Sequence, residues 1–144
     1  MARNTGLMST NLSSAKAASQ ALGGLIDQGI VITKYGHLMG GIQGFALREA
    51  GHPVPDGNSF STTEEAIRMV SGLSPRDSVL LLIPGGGSAL FEKPLISPET
   101  LQDLTGQLLR CGADIKEMNT IRKRLSAVKG GRFASLCAPA QVWS

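Results

Sequence analysis

The segment Ser78-Val79-Leu80-Leu81-Leu82-Ile83 is hydrophobic without alternation and runs straight into Pro84-Gly85-Gly86-Gly87-Ser88. A strand that is apolar on both sides needs cover on both faces, the situation of a parallel sheet enclosed by helices. A second β-branched run, Gly29-Ile30-Val31-Ile32-Thr33-Lys34, opens in the same way into the polar Tyr35-Gly36-His37. Helical segments alternate with these runs. The expected fold class is therefore α/β, a doubly wound, mostly parallel sheet with helices on both faces, Rossmann-like and incomplete. Such sheets bind ligands outside the carboxyl ends of their strands.

Local signals set the helices. Residues Leu12 to Leu22 are alanine-rich, with Ser13 or Ser14 to cap them and Gly23-Gly24 to stop them. Gly44 to Ala50 reads as either strand or helix, and two prolines make Gly51-His52-Pro53-Val54-Pro55-Asp56-Gly57 a stiff loop. A capping box at Ser61-Thr62-Thr63-Glu64 opens a helix toward Gly72. Ser97-Pro98-Glu99 starts another that ends at Cys111-Gly112, and the Asp114-to-Glu117 box starts one toward Leu125. A short helical stretch follows Gly130-Gly131-Arg132, and the last residues read as the start of a strand. The opening, residues 1–14, has no clear period, supplies no obvious first strand and reads as a divergent leader.

Length and composition exclude several classes. The 144 residues suit one domain, and 4% aromatic residues leaves little for stacking on bases, so nucleic acid is not an expected partner. No apolar run reaches the roughly 18 to 20 residues that span a bilayer, and the first residues lack the centre of a secretory signal; a soluble, cytoplasmic chain with no membrane partner is expected. Cys111 and Cys137 have neither CxxC nor zinc-like spacing and are read as reduced, buried thiols.

The net charge of +3 comes partly from Arg122, Lys123, Arg124, Lys129 and Arg132. Cations interleaved with Gly130 and Gly131 suit a small anionic ligand, although a solvated basic face is the plainer alternative. Three glycines and Ser88 after a buried strand let backbone N–H groups approach an anion with no Cβ between them; the alternative is an ordinary sharp turn. Neither GxxxxGK nor GxGxxG is present. His37 and His52 stand in loops without a matching carboxylate pattern, and Asp56 alone is as readily a turn residue, so no metal site is assigned.

Four phrases in order, Val31 to His37, Glu49 to Asp56, Gly85 to Leu90 and Asn119 to Arg132, resemble the two-domain glycerate 2-kinase family, often labelled hydroxypyruvate reductase. The resemblance covers about Ala15 to Val142, within a family protein roughly three times longer. It implies that residues 15–144 are part of the larger domain, that the smaller domain is absent, and that the activity is ATP-dependent, Mg²⁺-supported phosphorylation of D-glycerate at its 2-hydroxyl. On the matching positions, Gly85, Gly86, Gly87 and Ser88 would cradle phosphate or carboxylate, with His52, Asp56, Lys123, Lys129 and Arg132 lining the same cleft.

Departures from the family pattern qualify this. The family's glycine-lysine-alanine phrase, whose lysine is thought catalytic, is replaced by Met8-Ser9-Thr10; the lysine would fall near Ser9, and Lys16 is the substitute candidate. Pro84 stands for a serine and Arg124 for a histidine. The expectation is an inactive fragment that retains anion binding. The alternatives are a hydroxypyruvate reductase-type oxidoreductase, for which a dinucleotide loop is lacking, and a noncatalytic module whose exposed strand edges pair into homo-oligomers.

Overall fold

The computed structural model of the protein describes residues 3–144. In chain order the elements are β1 (Thr5–Ser9), α1 (Leu12–Leu22), β2 (Gln28–Lys34), β3 (Phe45–Ala50), α2 (Gly57–Val70), β4 (Ser78–Leu82), α3 (Pro98–Arg110), α4 (Ile115–Arg124), α5 (Arg132–Cys137) and β5 (Gln141–Trp143). The strands form one sheet in the order β3-β2-β1-β4-β5, and every pairing is parallel. This is the doubly wound α/β architecture expected.

The central strand comes from an unexpected place. Residues Thr5–Ser9, within the segment read as a leader without a strand, are β1, hydrogen-bonded to β2 on one side and β4 on the other. That expectation is corrected, with Met1 and Ala2 of the segment lying outside the described residues. Only Leu7 and Met8 in β1 are large and apolar, so its own sequence is a poor strand signal. Its two apolar neighbours in the sheet supply what the local pattern lacks.

Successive side chains of a strand point to opposite faces, and here that alternation divides the core. Leu7 and Val31 pack with Leu12 and Ala15 of α1 on one face. Met8, Ile30, Ile32 and Val79 pack on the other with Ala66 and Val70 of α2 and Phe133 of α5. Phe91 and Phe133 meet edge-to-face with ring centroids 4.9 Å apart, a favoured aromatic geometry.

Several boundaries move for identifiable reasons. Asn11, one residue before α1, accepts from the Ser14 N–H and is the cap in place of Ser13 or Ser14. Asp56 and Ser59 form a reciprocal capping box at the start of α2, so the helix begins before Ser61. The expected box lies inside it: Ser61 bonds back to the Gly57 carbonyl, and Glu64 pairs with Lys93. Of the ambiguous stretch, Phe45–Ala50 is strand, and in its connection from β2 Gly36, Gly40 and Gly44 adopt positive φ of 78°, 77° and 82°, which an α-helix does not accommodate. Cys137 is buried and Cys111 exposed, which corrects the reading of both as buried; both are free thiols. Burial pushes the Cys137 thiol up to about 11.

Candidate anion-binding site

The order of strands reverses at β1. From it the chain first passes by α1 to β2 and β3, and then returns by α2 to β4 on the opposite side. The loops leaving β1 and β4 therefore diverge, opening the crevice at which doubly wound sheets bind ligands. Thr10 and the start of α1 form one wall. Pro84–Ser88 forms the other, with the backbone N–H of Thr10 donating to the Leu82 carbonyl at 3.1 Å across the floor.

The glycines of this loop are not equivalent. Gly86 has φ 84°, a left-handed conformation that glycine adopts without a Cβ penalty. Gly87 is buried, and a Cβ on it would stand 2.1 Å from Thr10 Oγ1, so only glycine permits this approach of the loop to the end of β1. Gly85 faces open space, with nothing within 4 Å of its Cβ position. The Gly87 N–H returns to the Pro84 carbonyl at 3.1 Å, closing a tight turn.

Two of the residues expected in the cleft are brought to this loop. His52 Nε2 donates to the Gly86 carbonyl at 2.7 Å; a carbonyl only accepts, so that nitrogen carries the proton. Lys129 Nζ donates to the Ser88 carbonyl at 2.7 Å and stands 3.5 Å from Glu92 Oε2. Glu92 is only 5% exposed, and its other oxygen accepts from the Ser126 hydroxyl and, at 2.9 Å, from the Lys93 N–H. The buried carboxylate is thereby satisfied on both oxygens and fixes where the lysine can reach.

Glu92 and Ser126 were missed from the sequence. The available signal was an acid directly after the apolar Ala89-Leu90-Phe91, where a charge must find partners.

Asp56 is committed to the fold. It caps α2, and Tyr35 Oη donates to its Oδ2 at 2.6 Å. Burial works against its charge, but the bonds from Tyr35, the Gly51 N–H and Ser59 outweigh this and hold the carboxyl below its usual range. The bond to Asp56 in turn pushes the Tyr35 phenol up. Asp56, Ser88, Lys123 and Lys129 nevertheless share the wall of one groove of ≈970 Å³, floored by Leu81 and Phe133.

The remaining candidates lie elsewhere. Arg132 is exposed and does not line that groove; its Nη1 donates to the carbonyls of Lys123 at 2.8 Å, Arg124 at 3.2 Å and Ser126, closing the end of α4. Lys16 donates to the Met39 carbonyl at 2.9 Å in the loop between β2 and β3. Ser9, where the resemblance would put a lysine, is fully buried, and its hydroxyl exchanges bonds of 2.9 and 3.0 Å with the Asn11 backbone. His37 is an exposed loop residue whose N–H returns to Lys34. Among the described residues, no group of three or more His, Cys, Asp or Glu could hold a metal ion, and no helix is long and apolar enough to cross a membrane.

Comparison with known proteins places this arrangement in a family. Residues 7–144 match the domain family described as Domain of unknown function (DUF4147). D-glycerate 2-kinase of Thermotoga maritima is 54% identical over 130 residues, covering 89% of this chain and 31% of the relative. Glycerate 2-kinase of Pyrococcus horikoshii is 43% identical over 113 residues, covering 77% of this chain and 26% of the relative. The crystal structure of a Thermotoga maritima glycerate kinase superposes with a TM-score of 0.89 at 49% identity, covering 97% of this chain and 34% of that one. The chain thus spans about a third of the length of these relatives. It belongs to the DUF4147 family, in the segment that the family shares with glycerate 2-kinases.

Proposed function

We propose that this chain is the anion-binding segment of a D-glycerate 2-kinase, which transfers the terminal phosphoryl group of ATP to the 2-hydroxyl of D-glycerate. The observation that carries this reading is the glycine loop at the strand-order reversal, open at Gly85 and buttressed on its two sides by His52 and Lys129. Phosphoryl transfer relies on positioning and charge neutralisation, and backbone donors with nearby ammonium groups supply both.

The residues fit phosphate or carboxylate groups better than a resident metal. Exposed Gly85, Gly86 and Ser88 offer N–H donors and a hydroxyl, and Lys129 adds positive charge at the same edge. ATP would supply the phosphoryl group, and Mg²⁺ would enter on its phosphates, as a hard ion that keeps most of its water does. Glu92 holds Lys129 beside Ser88, and His52 bonds the Gly86 carbonyl, so an ammonium group stands at the loop before an anion arrives. The Ser9 hydroxyl is taken up by the Asn11 backbone and Lys16 is tied to the Met39 carbonyl, which gives this segment binding rather than transfer.

Thermal unfolding in the presence of ATP with Mg²⁺, D-glycerate or inorganic phosphate tests the reading. A ligand at 100 times its Kd adds about 2.7 kcal/mol of stability. The protein is expected to gain stability with at least one of these ligands, and Lys129→Met to gain less. No response to any of them at millimolar concentration would overturn the anion-binding reading, and glycerate-dependent ADP release by this chain alone would overturn the restriction to binding.

A further inference from the structure

Among the described residues, Thr10 is the one at the crevice with a buried side-chain oxygen that has no partner. Its hydroxyl oxygen is buried and makes no hydrogen bond, in a residue only 5% exposed. Buried hydroxyls in folded proteins are almost always paired, so an orphan calls for a reason. The other such atom among the described residues, Asn4 Oδ1, lies just before β1, at the opposite edge of the sheet. Thr10 lies just after β1, between the last strand residue and the first turn of α1.

Three independent features converge there. The hydroxyl lies directly beneath Gly87, as the 2.1 Å approach to that residue's Cβ position shows. The eleven-residue helix α1 begins two residues later, and its Asn11 cap takes only the Ser14 N–H, which leaves the N–H groups of Leu12 and Ser13 at the positive end of the helix. Gly85 and Gly86 flank the same point with exposed backbone, Gly86 in the left-handed conformation.

We propose that Thr10 is a ligand-binding residue, its hydroxyl donating to an oxygen of a phosphoryl or carboxylate group held between the first turn of α1 and the Gly85–Gly87 backbone. The inference rests on the anion-binding reading of that loop and adds to it a residue on β1's side of the crevice. Gly87 covers the hydroxyl in the unliganded fold, so the loop lifts at Gly86 as the anion enters, and the donor is satisfied only in the complex. An isosteric Thr10→Val chain then removes a penalty from the free protein and a bond from the bound one. Binding falls while the stability of the unliganded fold holds or rises, a combination that a purely structural threonine does not produce.

The test measures melting temperature and affinity for inorganic phosphate and, separately, for D-glycerate in the full chain and its Thr10→Val and Thr10→Ser variants. The expected result is a loss of about tenfold or more in affinity for Thr10→Val, the size of one hydrogen bond to a charged group, with an unchanged or higher melting temperature without ligand. Thr10→Ser, which keeps the hydroxyl, should bind close to the parent protein. Loss for phosphate alone assigns the contact to a phosphoryl oxygen, and loss for glycerate alone assigns it to the carboxylate. If the parent binds and Thr10→Val binds equally well, this inference is wrong and the loop reading survives. If the parent binds neither ligand, both fall. A Thr10→Val chain that melts lower or fails to fold also overturns the inference, because the hydroxyl then has a partner in the free protein.

Discussion

Asp77 ties the beginning of β1 to the turn that precedes β4. Its two oxygens accept the Ser74 N–H at 2.7 Å and the Asn4 N–H at 2.8 Å. The bond from Ser74, followed by that from Asn4, holds the carboxyl below its usual range despite some burial. A depressed folded pKa stabilises the protein above the unfolded value of about 3.9 and loses that contribution as pH falls through the folded value. Urea melts between about pH 6 and pH 2 should therefore show a declining acid limb, and Asp77→Asn should flatten part of it while lowering stability at neutral pH. Asp56 and Glu64 are shifted in the same direction and keep the rest of the limb. An acid slope identical in Asp77→Asn and the parent would remove Asp77 from the account.

At the scale of elements, α2 shows why a sequence signal can be real and misplaced. Ser61-Thr62-Thr63-Glu64 has the spacing of a cap, but Asp56 and Ser59 perform the capping five and two residues earlier. Thr63 instead faces inward, its hydroxyl accepting the Glu92 N–H at 3.1 Å, so the stretch that mimics a cap helps join α2 to the segment after the glycine loop. Asp56→Ala should cost about 1 kcal/mol from the lost cap, read as a lower urea midpoint at unchanged slope. Asp56→Asn should recover most of that loss, because asparagine caps about as well. Equal stability of Asp56→Ala and the parent would mean that the box contributes nothing.

Across the whole molecule the stability is uneven. α1, α2 and α5 each bury residues against the sheet, whereas α3 and α4 bury none. On that second pair Ile115 is 77% exposed, and Leu109, 60% exposed, lines the groove that Ser88, Lys123 and Lys129 also line. Helices with few buried apolar groups open locally at low free energy. Amide hydrogen exchange should accordingly be fastest in α3 and α4 and slowest in β1, β2 and α2; protection of α3 equal to that of α2 would contradict this picture.

The strands β2 and β4, the glycine loop, the caps of α3 and α4 and the α/β class were legible because each is a local property: an apolar run, a missing Cβ, an acid or proline at a helix start. His52 and Lys129, expected in one cleft with the glycine loop, are brought to its carbonyls by the fold. Nothing local marks Thr5–Ser9 as the central strand, since its character comes from β2 and β4 on either side. Nor does the sequence show that Arg132 closes α4, that Glu92 sets the place of Lys129, or that Thr10 lies under Gly87. Arg132 reaches back only to the neighbouring helix end, but the Glu92 and Thr10 pairings join residues far apart in the chain, and the parallel sheet brings Thr10 under Gly87 by gathering the carboxyl ends of its strands at one edge.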